Sequence, residues 1–302
     1  MRKIFTTIVA GLLFAVPFTA MAQVNILACE PEWAALAEEI GGPKISTFSA
    51  THARQDPHHI RARPSLIAKA RRADLIVCSG AGLEVGWLPI LLQKSGPQVQ
   101  PNALGHVTAS HYVPLLDTGA SVDRSMGDVH PEGNPHIHLN PHHILPIAAQ
   151  ITDRLAQLDS ANADYYQNRY QDFAQRWQQA LAQWEAKAAP LKGTQVVVHH
   201  KSFSYLIDWL QLRAIASLEP KPGIPPTSSH LESLLQQLKA TPAKLILRTP
   251  YEPEAASLWL SSKTNIPALV LPYTIGGAAE AGDLFALYDA TLALLLENAN
   301  VE

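Results

Sequence analysis

One long amphipathic stretch in the middle of the chain limits its possible folds more than any other feature. Apolar side chains recur there at intervals of three and four residues, at Tyr166, Tyr170, Phe173, Trp177, Leu181, Trp184 and Ala188. This spacing predicts a single amphipathic helix, about 45 Å long at 1.5 Å per residue. We expect it at residues 159–190, as a rigid connection between two halves whose aromatic stripe serves packing rather than cofactor binding.

The two halves on either side of this helix both alternate strand-like and helix-like segments. In the first half, strand patterns occupy residues 25–28, 44–48 and 74–78. In the second half they occupy residues 195–198, 214–218, 244–247 and 268–271. Strands that alternate with helices form parallel sheets with crossover connections. We therefore predict an α/β fold with two lobes, residues 23–158 and 191–302, each a parallel sheet flanked by helices.

The N-terminus has the pattern of a secretory signal peptide. Arg2 and Lys3 precede a mostly apolar stretch, and the sequence Ala20-Met21-Ala22 matches the usual cleavage site. We expect cleavage after Ala22, so residues 1–22 are absent from the mature protein. The sequence shows no lipid-accepting cysteine near that site and no second stretch of the ~20 apolar residues that a membrane span needs. With only two cysteines in the chain, the periplasm is the expected location.

The composition of the mature chain excludes one class of partner. The net charge of -3 becomes -5 once the two basic residues of the signal peptide are removed, and no basic run remains. This mild acidity argues against nucleic acid as the main partner. The remaining 280 residues are more than a single core usually covers, which also favours two lobes.

Four histidines within residues 134–143, NPHIHLNPHH, indicate a metal site. Imidazole is the commonest protein ligand for zinc and related metals. If residues 135–139 are extended, His136 and His138 share one face. Asn140 followed by Pro141 predicts a helix N-cap and the first helical residue. The alternative is a histidine-rich surface loop.

Two further histidine pairs lie just beyond predicted strands. His58 and His59 follow the second strand, and His199 and His200 directly follow the strand QVVV. In parallel α/β sheets, ligands bind outside the carboxyl ends of the strands. Histidine clusters at strand ends in both halves therefore favour a binding site over isolated hydrogen-bonded core histidines.

These segments resemble the zinc and manganese periplasmic solute-binding proteins, the metal receptors of ABC transporters. The resemblance rests on DPHH followed by PS, on NPHIHLNP and on HHKSFSYL, and it covers nearly the whole mature chain. It implies metal ligands at His58, His136 and His200. The neighbouring His59, His138 and His199 are then groups that orient the ligands or bind additional ions. It also implies two α/β lobes joined by one helix, metal in the cleft, and a membrane permease as partner.

The sequence departs from this family pattern after the last strand. A carboxylate commonly completes the family's site there, whereas this chain has Pro272 and Tyr273. Other candidates for the fourth ligand have no motif that places them near the ion: Glu30, Glu84, Asp283, His59 and His138. We therefore expect water or another exchangeable group as the fourth donor, with Tyr273 lining the cleft. His106, His111 and His130 are at most a remnant of the family's histidine-rich loop.

The ligand types indicate the metal, because three imidazoles suit zinc better than manganese, which favours more carboxylate oxygen. Copper and nickel come next. The sequence thus predicts a monomeric periplasmic receptor, not an enzyme, that delivers zinc to an ABC transporter permease.

The same residues also allow other functions. A zinc hydrolase also uses three histidines, but no HExxH motif is present. A metal chaperone or adhesin without a transporter is a further alternative. The glycines Gly80, Gly82 and Gly86 have the spacing GxGxxxG, which differs from the dinucleotide-binding fingerprint.

The two cysteines, Cys29 and Cys78, end the first and third strands of the first lobe. In a flavodoxin-like strand order these ends are neighbours, and an exported protein can oxidise them. We predict a disulfide, the alternative being two small buried thiols.

Overall fold

The computed structural model describes residues 23–119, 128 and 130–299. The expected signal peptide, residues 1–22, lies outside these ranges. Within them, no helix combines the length and the apolar character needed to cross a membrane.

The first lobe is a four-stranded parallel sheet with helices packed on it, as predicted. Its elements are β1 (Val24–Ala28), α1 (Pro31–Gly41), β2 (Ile45–Ser49), α2 (Pro64–Arg72), β3 (Leu75–Cys78), α3 (Leu88–Leu92), β4 (His106–Thr108) and α4 (Ile144–Leu158). The strand order is β2-β1-β3-β4, and every pair is parallel. Since β1 lies beside β3, the strand order assumed for the disulfide is correct.

The second lobe follows a long helix and repeats the same strand order. The elements are α5 (Ala163–Ala188), β5 (Gln195–Val198), α6 (Ser204–Trp209), β6 (Arg213–Ser217), α7 (Ser228–Ala240), β7 (Leu245–Arg248), α8 (Ala255–Thr264), β8 (Ala268–Val270) and α9 (Leu284–Asn298). The sheet order is β6-β5-β7-β8, again fully parallel. The predicted two-lobe α/β fold is confirmed.

Helix α5 joins the lobes through its aromatic face. It has 26 residues, about 39 Å at 1.5 Å per residue. The Trp177 indole donates to the carbonyl of Pro141 in the first lobe (2.9 Å), and the Trp184 indole donates to Asp289 of α9 (3.0 Å). The stripe therefore packs and hydrogen-bonds to both sides, which agrees with a packing role.

The lobes share one continuous apolar core rather than two separate ones. A single cluster of buried side chains runs from Ile26 in β1 through Trp177 in α5 to Val196 in β5 and Leu295 in α9. Two smaller clusters lie apart from it, one in each lobe. Burial of this shared core ties the two halves together, so the cleft between the sheets has a packed base.

The predicted disulfide is present. Cys29 directly follows β1 and Cys78 ends β3, and the two are bonded across these neighbouring strands. Both are almost fully buried. The bond therefore braces the edge of the first sheet that faces the cleft.

Candidate metal centre

The three histidines expected from the motifs come together between the lobes. His58 lies in the loop after β2, His136 precedes α4, and His200 follows β5. One ligand nitrogen of each lies within 4.8 Å of the other two. The ring centroids are 5.4 to 6.0 Å apart. Two imidazoles therefore come from the first lobe and one from the second.

His58 is held by an aspartate two residues earlier in the chain. The backbone N–H of His58 donates to Asp56 Oδ1 (2.9 Å), and its Nδ1 lies 2.7 Å from the same oxygen. Burial alone would raise the pKa of Asp56, but the hydrogen bond and charge of His58 outweigh it and lower this pKa. With Nδ1 engaged, the free nitrogen of His58 is Nε2.

His136 is held by residues from both lobes. Its backbone N–H donates to Asn134 Oδ1 (3.0 Å), and its Nδ1 lies 2.7 Å from the hydroxyl of Tyr273. Its Nε2 is buried and has no hydrogen-bond partner. Burial, together with the nearby rings of His58 and His200, lowers the pKa of His136 well below its usual value. The ring is therefore neutral and offers a lone pair to a ligand.

His200 is paired with a glutamate from the loop after β6. Its Nδ1 lies 2.7 Å from Glu219 Oε2. Burial opposes the charged ring, but the hydrogen bond and charge of Glu219 outweigh burial and raise the pKa of His200. The neighbouring His199 is also buried, with its Nε2 4.0 Å from the other Glu219 oxygen.

The three rings share one arrangement that suits metal binding. In each case a protein oxygen engages Nδ1, which leaves Nε2 as the free nitrogen. Proteins orient metal-binding histidines in this way, through a partner on the second ring nitrogen. A cavity of about 220 Å³ adjoins His58 and His200 and is also lined by Asp128 and Glu252. Acidic groups around such a cavity attract a cation.

The structure adds a fourth imidazole, His130, that sequence reasoning missed. Its Nε2 lies 3.1 Å from Nε2 of His58, and its ring centroid is 6.2 Å from that of His136. Burial, with the neighbouring His58 and His200, lowers the pKa of His130 to about 4. The sequence feature that could have indicated its position is Pro131-Glu132-Gly133, which is typical of a turn. In the structure, the Gly133 N–H donates to the His130 carbonyl across this turn (3.1 Å).

The other residues considered for the site lie elsewhere. The His59 side chain is 67% exposed and lies 3.5 Å from Asp128. Glu30 and Glu84 are hydrogen-bonded to each other and to Ser79 inside the first lobe. Asp283 caps α9 by accepting from the Ala286 N–H (2.8 Å). His59 lies beside His58, with ring centroids 6.1 Å apart, but its own side chain is directed to Asp128 and solvent.

The backbone around His138 corrects one prediction. Residues 135–139 are not an extended run, because Ile137–Leu139 form a 3₁₀ turn. His136 and His138 therefore have different partners instead of sharing a face. His138 is buried, with Nδ1 3.1 Å from Glu32 and Nε2 2.8 Å from the Tyr273 carbonyl. The predicted cap is correct, since the Asn140 side chain accepts from the His142 N–H (3.0 Å).

Two α/β lobes around one rigid helix, with buried imidazoles from both lobes, define a class of metal-binding receptors. Residues 26–298 match the sequence model of the family described as "ZnuA: Zinc-uptake complex component A periplasmic". The chain belongs to this family of substrate-binding components of metal ABC transporters.

Relatives with assigned names agree with this class. ScbA of Streptococcus cristatus, a metal ABC transporter substrate-binding lipoprotein, is 22% identical over 274 residues, which cover 88% of this chain and 86% of ScbA. PsaA of Streptococcus pneumoniae, named for manganese, is 23% identical over 259 residues, covering 83% and 80%. A crystal structure of ZnuA has a TM-score of 0.78 and 20% identity, covering 92% of this chain and all of that one. At that identity, the structural likeness establishes the fold.

Proposed function

We propose that this protein captures zinc in the periplasm and delivers it to the membrane permease of an ABC transporter. The proposed ligands are His58, His136 and His200, with Asp56, Tyr273 and Glu219 holding their rings. Family membership supports the transporter role, and the cleavable leader expected at residues 1–22 supports export. The zinc is cargo, so the mechanism is capture and release rather than turnover.

The observation that carries this proposal is the unpartnered Nε2 of His136. It belongs to a neutral, fully buried ring between two other imidazoles. A buried polar atom without a partner costs about 1–3 kcal/mol. Coordination of a cation removes this cost, and neutral imidazole nitrogen is a preferred zinc ligand.

The donor set supports zinc in preference to manganese. The groups that face one another in the centre are imidazole nitrogens, and the nearest carboxylates, Asp56 and Glu219, are engaged with Nδ1 atoms. Manganese favours carboxylate and water oxygens, whereas zinc binds well to imidazole. The relatives carry names for both metals, so the choice of zinc rests on this chain's own residues.

The division of ligands between the lobes supports a simple means of release. His58 and His136 belong to the first lobe and His200 to the second. Movement of the second lobe away from the first at the permease lengthens the bond to His200 while the other two ligands remain together. A ligand lost in this way weakens binding and frees the ion.

The test is a zinc competition titration of the untagged periplasmic protein, preceded by metal analysis of the protein as isolated. His58→Ala, His136→Ala and His200→Ala should each weaken zinc binding by at least about 10-fold, because even loss of a group that only supports a ligand costs that much. His59→Ala is the matched control and should bind like the wild type, since its side chain is mostly exposed.

Equal effects of the control and the three ligand variants would overturn the assignment. The hydrolase alternative is tested in parallel with ester, amide and phosphate substrates. Zinc-dependent turnover that disappears in His200→Ala would contradict the receptor function. Tight binding of manganese with weak binding of zinc would contradict the choice of metal.

A further inference from the structure

The position of His130 matches that of a ligand on the same ion as His58. Tetrahedral zinc with bonds of about 2.0–2.1 Å places neighbouring ligand nitrogens about 3.3 Å apart. The Nε2 atoms of His58 and His130 are 3.1 Å apart. His130 is also packed near His136, with ring centroids 6.2 Å apart at 83°. One ion can therefore contact both Nε2 atoms with little movement of either ring.

The far sides of these two rings also face oxygen atoms that can accept a proton from Nδ1. Nδ1 of His58 faces the Asp56 carboxylate, and the His130 ring is hydrogen-bonded to the backbone of Ala81. Nδ1 of His130 is the nitrogen on that side, because it lies 3.5 Å from the position of a Cβ on Gly82. A neutral imidazole has only one N–H. If both Nδ1 atoms carry it, two Nε2 lone pairs face each other at 3.1 Å.

The oxygen atoms that contact the three motif histidines are already engaged with the Nδ1 atoms of those rings. Asp56 and Glu219 accept from the histidines that they orient, and the Tyr273 hydroxyl lies against Nδ1 of His136. His130 lies beside Nε2 of His58, where it can act as a further nitrogen donor.

We propose that His130 is the fourth zinc ligand and completes an all-imidazole centre with His58, His136 and His200. This inference rests on the proposed zinc-binding function and deepens it. It replaces the water expected from the sequence. A site with four nitrogens and no carboxylate selects zinc and similar borderline metals such as cobalt, and disfavours manganese.

The experiment substitutes cobalt for zinc, because its visible spectrum reports the number and type of ligands. In wild-type protein, cobalt should give the intense absorption of a tetrahedral site. His130→Cys places a thiolate at the fourth position and should add a sulfur-to-cobalt charge-transfer band in the near ultraviolet. His142→Cys is the control without such a band, because the His142 side chain is half exposed and paired with Glu185.

Affinity and coordination number give an independent readout. His130→Ala should weaken zinc binding by at least about 10-fold, as even loss of a supporting group does. X-ray absorption should count four imidazoles in the wild type and three plus a light oxygen donor in the variant. The ratio of zinc to manganese affinity should fall in His130→Ala, because water replaces a nitrogen donor.

The outcomes separate this inference from the proposed function. Wild-type protein that binds neither zinc nor cobalt would refute the metal-binding function itself. Wild-type protein that binds both, with His130→Cys lacking the charge-transfer band and His130→Ala keeping its affinity, would refute only the role of His130. Unchanged circular dichroism of the metal-free variants is the check that each one is folded.

Discussion

The first and second lobes form the two walls of the cleft that holds the candidate metal centre. These walls are built differently although the two sheets have the same strand order. The first lobe contributes three imidazoles, His58, His130 and His136, and a disulfide lies behind this wall. The second lobe contributes one of the proposed imidazole ligands, His200, and the hydroxyl of Tyr273. Because most nitrogen donors lie on the covalently braced wall, we infer that the first lobe defines the site. Under the proposed function, the second lobe closes this site, and withdrawal of that lobe is the route for release.

Removal of the disulfide tests whether bracing of the first wall is important. The double variant Cys29→Ala, Cys78→Ala should lose about 4 kcal/mol of unfolding free energy, from the chain-entropy cost of closing a loop of this length. The sequence separation is 49 residues, and both cysteines are buried. Urea unfolding of the metal-free protein measures the change.

Zinc affinity of the same variant then tests the comparison of the walls. If the first lobe is the template, its loss of bracing should also weaken zinc binding. Reduction of the wild type by dithiothreitol should reproduce both effects and leave the double variant unchanged. A loss of less than 1 kcal/mol of stability would show that packing alone holds this wall.

The buried pair Glu30 and Glu84, next to the disulfide, predicts a pH effect that originates in the first lobe. Burial and the charges of Glu84 and Glu32 raise the pKa of Glu30 well above its usual value, and burial raises that of Glu84 to about 7. The folded protein therefore holds protons that the unfolded chain releases near pH 4.5. This stabilisation is complete below that pH and is lost as the pH rises through about 7.

The variant Glu30→Gln should flatten this dependence, because an amide donates to Glu84 without titrating. Because the pKa of Glu30 is raised well above its usual value, the wild type should lose more stability than the variant as the pH rises from 4.5 to about 8. Urea unfolding of the metal-free protein across this range, with Glu280→Gln as an exposed control, gives the difference in slope. Contributions of the buried histidines cancel between the wild type and the variant. Parallel slopes for the two proteins would contradict a raised pKa of Glu30 in the folded protein.

Most of the fold could be predicted because its strands and helices have strong local patterns. The predicted strand at residues 195–198 coincides with β5, and the expected long helix contains all of α5. The sequence pattern alone does not reveal α9. Its buried residues recur at helical spacing, but apolar side chains such as Leu294 and Leu296 also occupy its other face, which blurs the pattern.

The candidate site could be predicted only in part, because several of its contacts join residues that are far apart in the sequence. His58, His136 and His200 lie in short motifs near the ends of predicted strands and helices, so local sequence patterns identify them. The contact between His58 and His130 spans 72 positions, and the partner of His136, Tyr273, is 137 positions away. No local periodicity encodes such pairs. They depend on the path of loops, which the fold as a whole determines.

Tyr273→Phe is the finest test of the second wall. Asp56 and Glu219 are carboxylates that accept from His58 and His200, whereas His136 has a phenol that burial keeps neutral. For zinc to bind Nε2 of His136, Nδ1 must carry the proton and donate it to the Tyr273 oxygen. The variant removes this acceptor, while the backbone stays fixed by the hydrogen bond from His138 to the Tyr273 carbonyl (2.8 Å).

We expect Tyr273→Phe to lose about 10-fold in zinc affinity, which is the low end for groups that orient a ligand. The loss is small because a neutral phenol is a weaker acceptor than a carboxylate. Competition titration measures it, with Tyr251→Phe as control because that ring also packs beside Tyr273 but its hydroxyl lies 3.4 Å from Ser202 Oγ. Equal affinities for the two variants would mean that the second wall contributes His200 alone.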